Sequence, residues 1–383
     1  MAVLAGGVVL AADLLQSRQD LAQRAAVTVS PSPSASPLAS PSPANDLASL
    51  NADIGAVMVI SQSGSQMQPL LRTMFATGQA GGLLLFGSNF TGASQLKHWS
   101  DAMTSIAAQA CLSHPILVML DEEGGQVNRI GGSFAPPSQL VAGAGGADHV
   151  RALEQASGAG LRKLGVGLNL APVADVRTNA KDTIILDRSF GSNSAVVAPL
   201  VGAAVEGLHD GGVGATLKHF PGLGGAAGDP HKKIPTDPST EAQWMRVQLP
   251  AFQAGIDAGA DAVMTTAVYV PGLGGGSLPA MFSPQVVSRL RTQLGFQGVI
   301  VTDSVSMGGI GAKWSLPQAA VLALAAGNDL VMLGNASPAY ERQAMAAVRA
   351  AVMSGKIDRA QLHASALRVN ALRDKWGMPF NHC

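Results

Sequence analysis

From Asn45 onward, short apolar runs of strand length alternate with helical patterns, and this alternation limits the folds open to the chain more than any other feature. We count about eight such runs, at 54–60, 82–86, 116–120, 166–170, 213–217, 262–266, 299–302 and 329–333. Helical spacing is clearest at Leu96, Trp99, Met103 and Ile106, where the steps mark one buried face. An open Rossmann-like sheet would alternate in a similar way. Polar residues, however, cluster just after several different strands, where barrel enzymes assemble their sites, so the expected fold is a (β/α)8 TIM-type barrel forming a single catalytic domain.

Of the 383 residues 47% are hydrophobic, ample for a buried core. Lys plus Arg and Asp plus Glu number 25 each, with no basic run longer than a dipeptide, which points away from nucleic acid and from anionic membrane surfaces as partners. A small or neutral partner fits better. Two cysteines, Cys111 and Cys383, are too few for a disulfide framework or a four-cysteine metal site. Within residues 1–26, Ala2 to Ala12 is apolar and of signal-core length, short of the roughly 20 residues a spanning helix needs; it reads as an export signal or anchor remnant, or as a frayed amphipathic helix. Residues 27–45 are mostly Ser, Pro and Ala and read as an extended linker, leaving 46–383 for the barrel domain. A tether before a catalytic domain fits a bacterial cell-envelope or secreted protein better than a cytoplasmic one.

The richest stretch is VGATLKHFPGLGGAAGDPHKKIP, residues 213–235. A buried strand is expected over 213–217, with Lys218 and His219 at its end. Pro221, Gly222, Gly224, Gly225 and Gly228 then force a loop as far as Asp229, Pro230 and His231. DEEGGQVNR follows the third strand, and its three consecutive carboxylates, Asp121 to Glu123, would repel one another unless hydrogen bonds or ligands use them. NLAPVADV holds Asp175, DRSFG holds Arg188, and the apolar run at 299–302 ends at Asp303 in TDSVSM. Taken singly, Asp121 and Asp303 read as helix caps or turn residues, Arg129 as a surface charge and His231 as a solvated loop histidine.

Taken together, KHFPGLG followed after four residues by DPH, the Asp-x-Glu-Gly-Gly-x-Val-x-Arg run and the Gly298, Asp303, Met307 spacing resemble family 3 glycoside hydrolases of the single-domain β-N-acetylglucosaminidase type. The resemblance covers roughly 53–377. It implies that Lys218 and His219 grip the sugar, that Asp121 holds its hydroxyls, and that Arg129 and Arg188 help to bind it. It also implies that Asp303 is the nucleophile, and that Asp229 and His231 form the acid/base dyad on a mobile loop. Asp175 is given a supporting role, with an Asp187–Arg188 contact as a competing reading of DRSFG. Two positions depart from the family pattern: Pro230 stands where Ser or Thr is usual, and Ala267 where His is usual.

The implied protein is a monomeric exo-acting retaining β-N-acetylglucosaminidase acting on peptidoglycan-derived glycans, with no cofactor, no metal and no membrane span in the catalytic domain. A phosphorylase or β-glucosidase on the same barrel, and a non-catalytic glycan-binding module, remain alternatives. Gly222, Gly224 and Ala227 also satisfy the dinucleotide-binding G-x-G-x-x-A pattern, though no helix is expected to follow. A metal-dependent barrel hydrolase is the other competing class, without His-x-His or HExxH spacing in its favour.

Overall fold

The computed structural model describes residues 43–381 and Cys383. The expected export or anchor segment, 1–26, lies outside them, as does most of the expected linker; residues 43–45 instead open the first helix. The unit from Leu47 onward carries the whole sheet.

The elements run α1 (Pro43–Ala56), β1 (Met58–Ile60), α2 (Pro69–Ala76), β2 (Gly82–Leu84), α3 (Ala93–Gln109), β3 (Leu117–Leu120), α4 (Gln139–Gly143), α5 (Ala147–Lys163) and β4 (Leu168–Asn169). They continue with α6 (Ser194–Asp210), β5 (Gly214–Phe220), α7 (Glu241–Val247), α8 (Leu249–Asp257), β6 (Ala262–Thr265), α9 (Pro284–Thr292), β7 (Val299–Thr302) and α10 (Gly308–Gly311). Last come α11 (Leu316–Ala325), β8 (Val331–Met332), α12 (Pro338–Met353) and α13 (Arg359–Trp376).

All eight strands are parallel neighbours in the order β7-β6-β5-β4-β3-β2-β1-β8. The ends of that order meet: Thr302 donates its N–H to Leu330 O at 2.9 Å, and Leu330 returns one to Ile300 O at 3.0 Å. The sheet thus curls into the expected barrel. Every strand residue is buried, which is what a parallel sheet covered by helices requires.

Each expected run contains a strand, but the boundaries differ where other forces win. Residues 54–56 finish α1 rather than start β1, because Leu50 and Ile54 stand one helical turn apart on its buried face. β5 does not stop at Leu217 but continues to Phe220, since Lys218 and His219 find charged partners that let them stay inside. Between β5 and β6 the chain forms two helices, α7 and α8, broken at Gln248. Pro250 in the first turn of α8 has no N–H to continue α7, and the Gln248 side chain turns away to bind Val176 N and O, both at 2.9 Å. In α3, Leu96, Trp99, Met103 and Ile106 are all buried, as their spacing requires.

Candidate active site

The C-terminal ends of the strands surround a pocket of about 230 Å³ whose lining includes Asp121, Arg129, Arg188, His219, His231 and Asp303. Leu84, Leu170, Met264 and Met332 give it an apolar floor. Of the residues singled out in the sequence, Lys218 and Asp229 do not line it but contact Asp121 and His231, which do. A larger cavity between α1 and α12 contains none of these groups.

Lys218 and His219 would point to opposite faces of a regular strand. Here the β5–β6 register shifts between Leu217 and Phe220, and the Lys218–His219 peptide is cis. His219 lines the pocket and Lys218 reaches the carboxylates of Asp121 and Glu123 beside it, the kind of re-aiming a bulge provides. Lys218 is buried and reaches Asp121 at 2.6 Å and also Glu123. Glu123 in turn takes a two-pronged grip from Arg188, Nε to Oε2 at 2.7 Å and Nη2 to Oε1 at 2.8 Å. Burial alone would raise the Glu123 pKa, but Lys218 and Arg188 outweigh it and hold the carboxyl well below its ordinary range. The same carboxylates keep Lys218 and Arg188 protonated despite their burial.

His219 donates from Nδ1 to Asp175 Oδ2 at 2.7 Å, and Asp175 is fully buried. A carboxylate there fixes the proton on Nδ1 and leaves Nε2 as an acceptor, 3.4 Å from Arg188 Nη2. Asp175 also receives the Leu223 N–H, so it ties the strand end to the loop that follows. Its place is a brace. Asp187 does not contact Arg188; its carboxylate takes the Gln126 amide.

The three carboxylates of DEEGG part company. Asp121 and Glu123 face the cations, while Glu122 turns inward and accepts the N–H groups of Arg129 and Ile130 at 2.9 and 3.1 Å. Asn169 clamps the Glu122 main chain from β4, at 3.0 and 2.8 Å. Gly124 and Gly125 have φ of 79° and 53°, and a Cβ on Gly124 would stand 2.3 Å from Pro136 O. Only glycine fits that turn.

Asp303 follows β7 directly. Its Oδ2 accepts the Thr266 hydroxyl at 2.9 Å and its Oδ1 the Ser304 N–H at 2.7 Å, which orients the carboxylate into the pocket. Thr266 went unrecognised in the sequence, where only Ala267 stood out. Ala267 is fully buried and brings no polar group.

His231 enters from the loop after β5. Its Nδ1 meets Asp229 Oδ1 at 2.8 Å, and its own N–H meets the same oxygen at 2.9 Å, leaving Nε2 free. Burial tends to raise the Asp229 pKa, but these two bonds overcome it and the net shift is downward. Pro230 does not block the pair. The loop rests on α10: Gly309 N donates to Pro230 O at 3.2 Å, and a Cβ on Gly308 would lie 2.3 Å from His231 O.

No helix opens after Gly222 and Gly224, so the dinucleotide-binding reading has no support in the fold. Among the described residues no group of three or more His, Cys, Asp and Glu side chains is placed to hold a metal ion.

A parallel barrel carrying a strand-end carboxylate, a histidine–aspartate pair and a cage of paired charges around one small pocket defines the class: a TIM-barrel glycoside hydrolase. Residues 49–372 match the family described as the glycosyl hydrolase family 3 N-terminal domain, and the chain belongs to that family. It is 33% identical over 286 residues to a beta-hexosaminidase of Stenotrophomonas maltophilia (strain K279a), covering 72% of this chain and 83% of that protein. Among solved structures, the beta-N-acetylhexosaminidase of Beutenbergia cavernae DSM 12333 superposes with a TM-score of 0.76 at 32% identity, over 85% of this chain and 98% of that one. The family 3 beta-N-acetylglucosaminidase of Paenibacillus sp. str. FPU-7 gives a TM-score of 0.81 at 32% identity over 87% of this chain, which spans only 64% of that longer protein.

Proposed function

We propose that this glycoside hydrolase removes terminal β-linked N-acetylglucosamine with retained configuration, through a covalent glycosyl-enzyme on Asp303. The observation that carries the reading is that Asp303 and His231 line one and the same pocket. At about 230 Å³ it is small beside usual ligand cavities of about 300–1,000 Å³, which suits one sugar ring at a chain end rather than an extended chain.

In the first step Asp303 attacks the anomeric carbon as the glycosidic bond breaks, and His231 Nε2 gives its proton to the leaving oxygen. In the second, neutral His231 takes a proton from water, the hydroxide attacks the same carbon, and Asp303 leaves. Asp229 fixes the ring's orientation and tautomer through Nδ1. Asp121, Arg129, Arg188, Lys218 and His219 hold the sugar, directly or through one another. Peptidoglycan-derived fragments are the proposed natural substrate. An exported or envelope-held, monomeric protein is the proposed setting, and the Cys111–Cys383 disulfide supports it because such bonds persist outside the reducing cytosol.

The test is release of phenols from aryl β-N-acetylglucosaminides, run beside the aryl β-glucoside. We expect Asp303→Ala to abolish turnover and His231→Ala to lower it by about 10² to 10⁴. The His231→Ala deficit should shrink as the phenol becomes more acidic, because a good leaving group needs less proton transfer. Wild-type turnover surviving Asp303→Ala would sink the mechanism.

A further inference from the structure

Among the described residues Asp303 forms no ion pair, while Lys218 and Arg188 are held by Asp121 and Glu123. Two groups donate to its carboxylate, one to each oxygen: the Ser304 N–H to Oδ1 at 2.7 Å and the Thr266 hydroxyl to Oδ2 at 2.9 Å. Ser304 is the next residue along the chain and moves with Asp303. Thr266 comes from the end of a different strand, β6, and fixes the carboxylate from outside. An ionised carboxylate can only accept, so the proton in that bond is the hydroxyl's.

Thr266 is itself held on every side. It is fully buried, its N–H goes to Phe220 O at the end of β5 at 3.0 Å, and its carbonyl accepts the Met281 N–H at 3.2 Å. Its branched Cβ restricts χ1, so the hydroxyl is aimed before any substrate arrives. The main chain beside it is fixed as well: Asp303 N donates to Thr265 O at 2.7 Å, and the Thr265 hydroxyl reaches Asn328 Oδ1 at 2.7 Å.

We propose that Thr266 is a positioning residue for Asp303 whose hydroxyl serves above all the second chemical step, by receiving the carboxylate as it regains its charge.

The two steps ask opposite things of that hydrogen bond. In the first, an electron pair of the Asp303 carboxylate forms the bond to the anomeric carbon, and the leaving oxygen takes the His231 proton. Negative charge drains from Asp303, so a donor on Oδ2 favours the starting anion. In the second, the oxygen of water bonds to the anomeric carbon and a water proton passes to His231 Nε2. The bond between that carbon and Asp303 breaks, and its electron pair returns to the carboxylate. Charge now grows on Asp303, and the Thr266 bond is stronger in this transition state than in the glycosyl-enzyme, where an ester oxygen is the weaker acceptor. Only such strengthening accelerates a step. In the first step the bond's positioning of the attacking carboxylate offsets its electrostatic cost, so loss of the hydroxyl should leave glycosylation nearly unchanged. Deglycosylation should slow about 10- to 100-fold, the ordinary weight of a hydrogen bond to a charged group.

The inference rests on the reading of Asp303 as the nucleophile, so the test carries its own control. Kinetics are measured on aryl β-N-acetylglucosaminides whose phenols span a range of acidity. The proteins are wild type, Asp303→Ala, Thr266→Val, which keeps the shape without the hydroxyl, and Thr266→Ser, which keeps the hydroxyl. In Thr266→Val kcat should fall about 10- to 100-fold. Its kcat/KM, which reports the first step, should stay within about threefold, so KM falls along with kcat. Over a wider range of phenols than in wild type, kcat should be independent of phenol acidity, and rapid mixing should show a burst of about one phenol per enzyme. Thr266→Ser should recover kcat to within about threefold of wild type. A merely structural role would lower kcat and kcat/KM together and give no burst. Should Thr266→Val not fold, Thr266→Ala removes the same hydroxyl and carries the same expectations. Equal losses in kcat and kcat/KM, an unchanged kcat, or a Thr266→Ser as slow as Thr266→Val overturn the proposal alone, provided that wild type is active and Asp303→Ala is not. An inactive wild type, or turnover that survives Asp303→Ala, overturns the glycosidase mechanism and this inference with it.

Discussion

Glu123 is the residue that ties together the charged side of the pocket. It sits between two buried cations, Lys218 and Arg188, and shares Lys218 with Asp121. Replacing it by glutamine keeps the shape but strands two desolvated positive charges, a change that typically costs about 3–5 kcal/mol. Urea denaturation at pH 7 should register that loss. The sign of its pH dependence follows from the lowered Glu123 pKa: the stabilisation is fully present above about 4.5, its ordinary value, and drains away as pH falls below it. The gap between wild type and Glu123→Gln should therefore narrow in acid. A gap that stays constant down to about pH 3 would mean that the carboxylate is not held by these cations. The DEEGG run pointed to this region because three adjacent carboxylates demand partners. Which of them faces outward was not legible, since it depends on Lys218, Arg188 and Asn169, each contributed by a different part of the chain.

At the scale of elements, the loop bearing the proposed acid/base pair, Asp229 and His231, is seated by a helix that follows Asp303, the proposed nucleophile. α10 follows Asp303 within a few residues, and Gly308 and Gly309 carry the His231 and Pro230 carbonyls at distances a side chain would violate. Asp303 and His231 are thus located relative to each other through α10. A methyl group at Gly308 must push the loop outward, and misplacement of about 1 Å can cost about 10² in rate. We expect Gly308→Ala to lower kcat on that order with little change in KM. Gly311→Ala in the same helix, where a Cβ meets nothing within 4 Å, should leave both unchanged. Equal kinetics for the two variants would show that α10 does not seat the loop. The glycine-rich loop itself was legible from composition, because five closely spaced Gly and Pro residues leave it no regular structure. Its support was not: GlyGly after Met307 carries no signal until the fold sets it beneath His231. For the same reason β5 reads as ending at Leu217, because a buried lysine and histidine look like a strand's end until their carboxylates are found.

At the largest scale, one covalent bond ties distant parts of the barrel unit together. Cys111 follows α3, before β3 begins, and so lies towards the N-terminal face of the barrel, away from the strand ends that bear the pocket. It pairs with Cys383, with Cα atoms 5.5 Å apart across 272 residues of sequence. Two cysteines are indeed too few for a framework, but they make one bond whose loop contains six of the eight strands, β3 to β8, and nothing in their spacing announces it. A crosslink over so long a loop removes much of the unfolded chain's freedom, in the chain-entropy model about 5.6 kcal/mol. The consequence divides stability from chemistry. Cys111→Ser should melt several degrees lower than wild type, and dithiothreitol should bring wild type down to the same temperature. Turnover of the aryl sugar below the melting range should be unaffected by either, because no pocket residue depends on that face. Equal melting of wild type and Cys111→Ser without reductant would mean that the bond adds nothing to the barrel. A matching loss of kcat would place the N-terminal face in mechanical contact with the site.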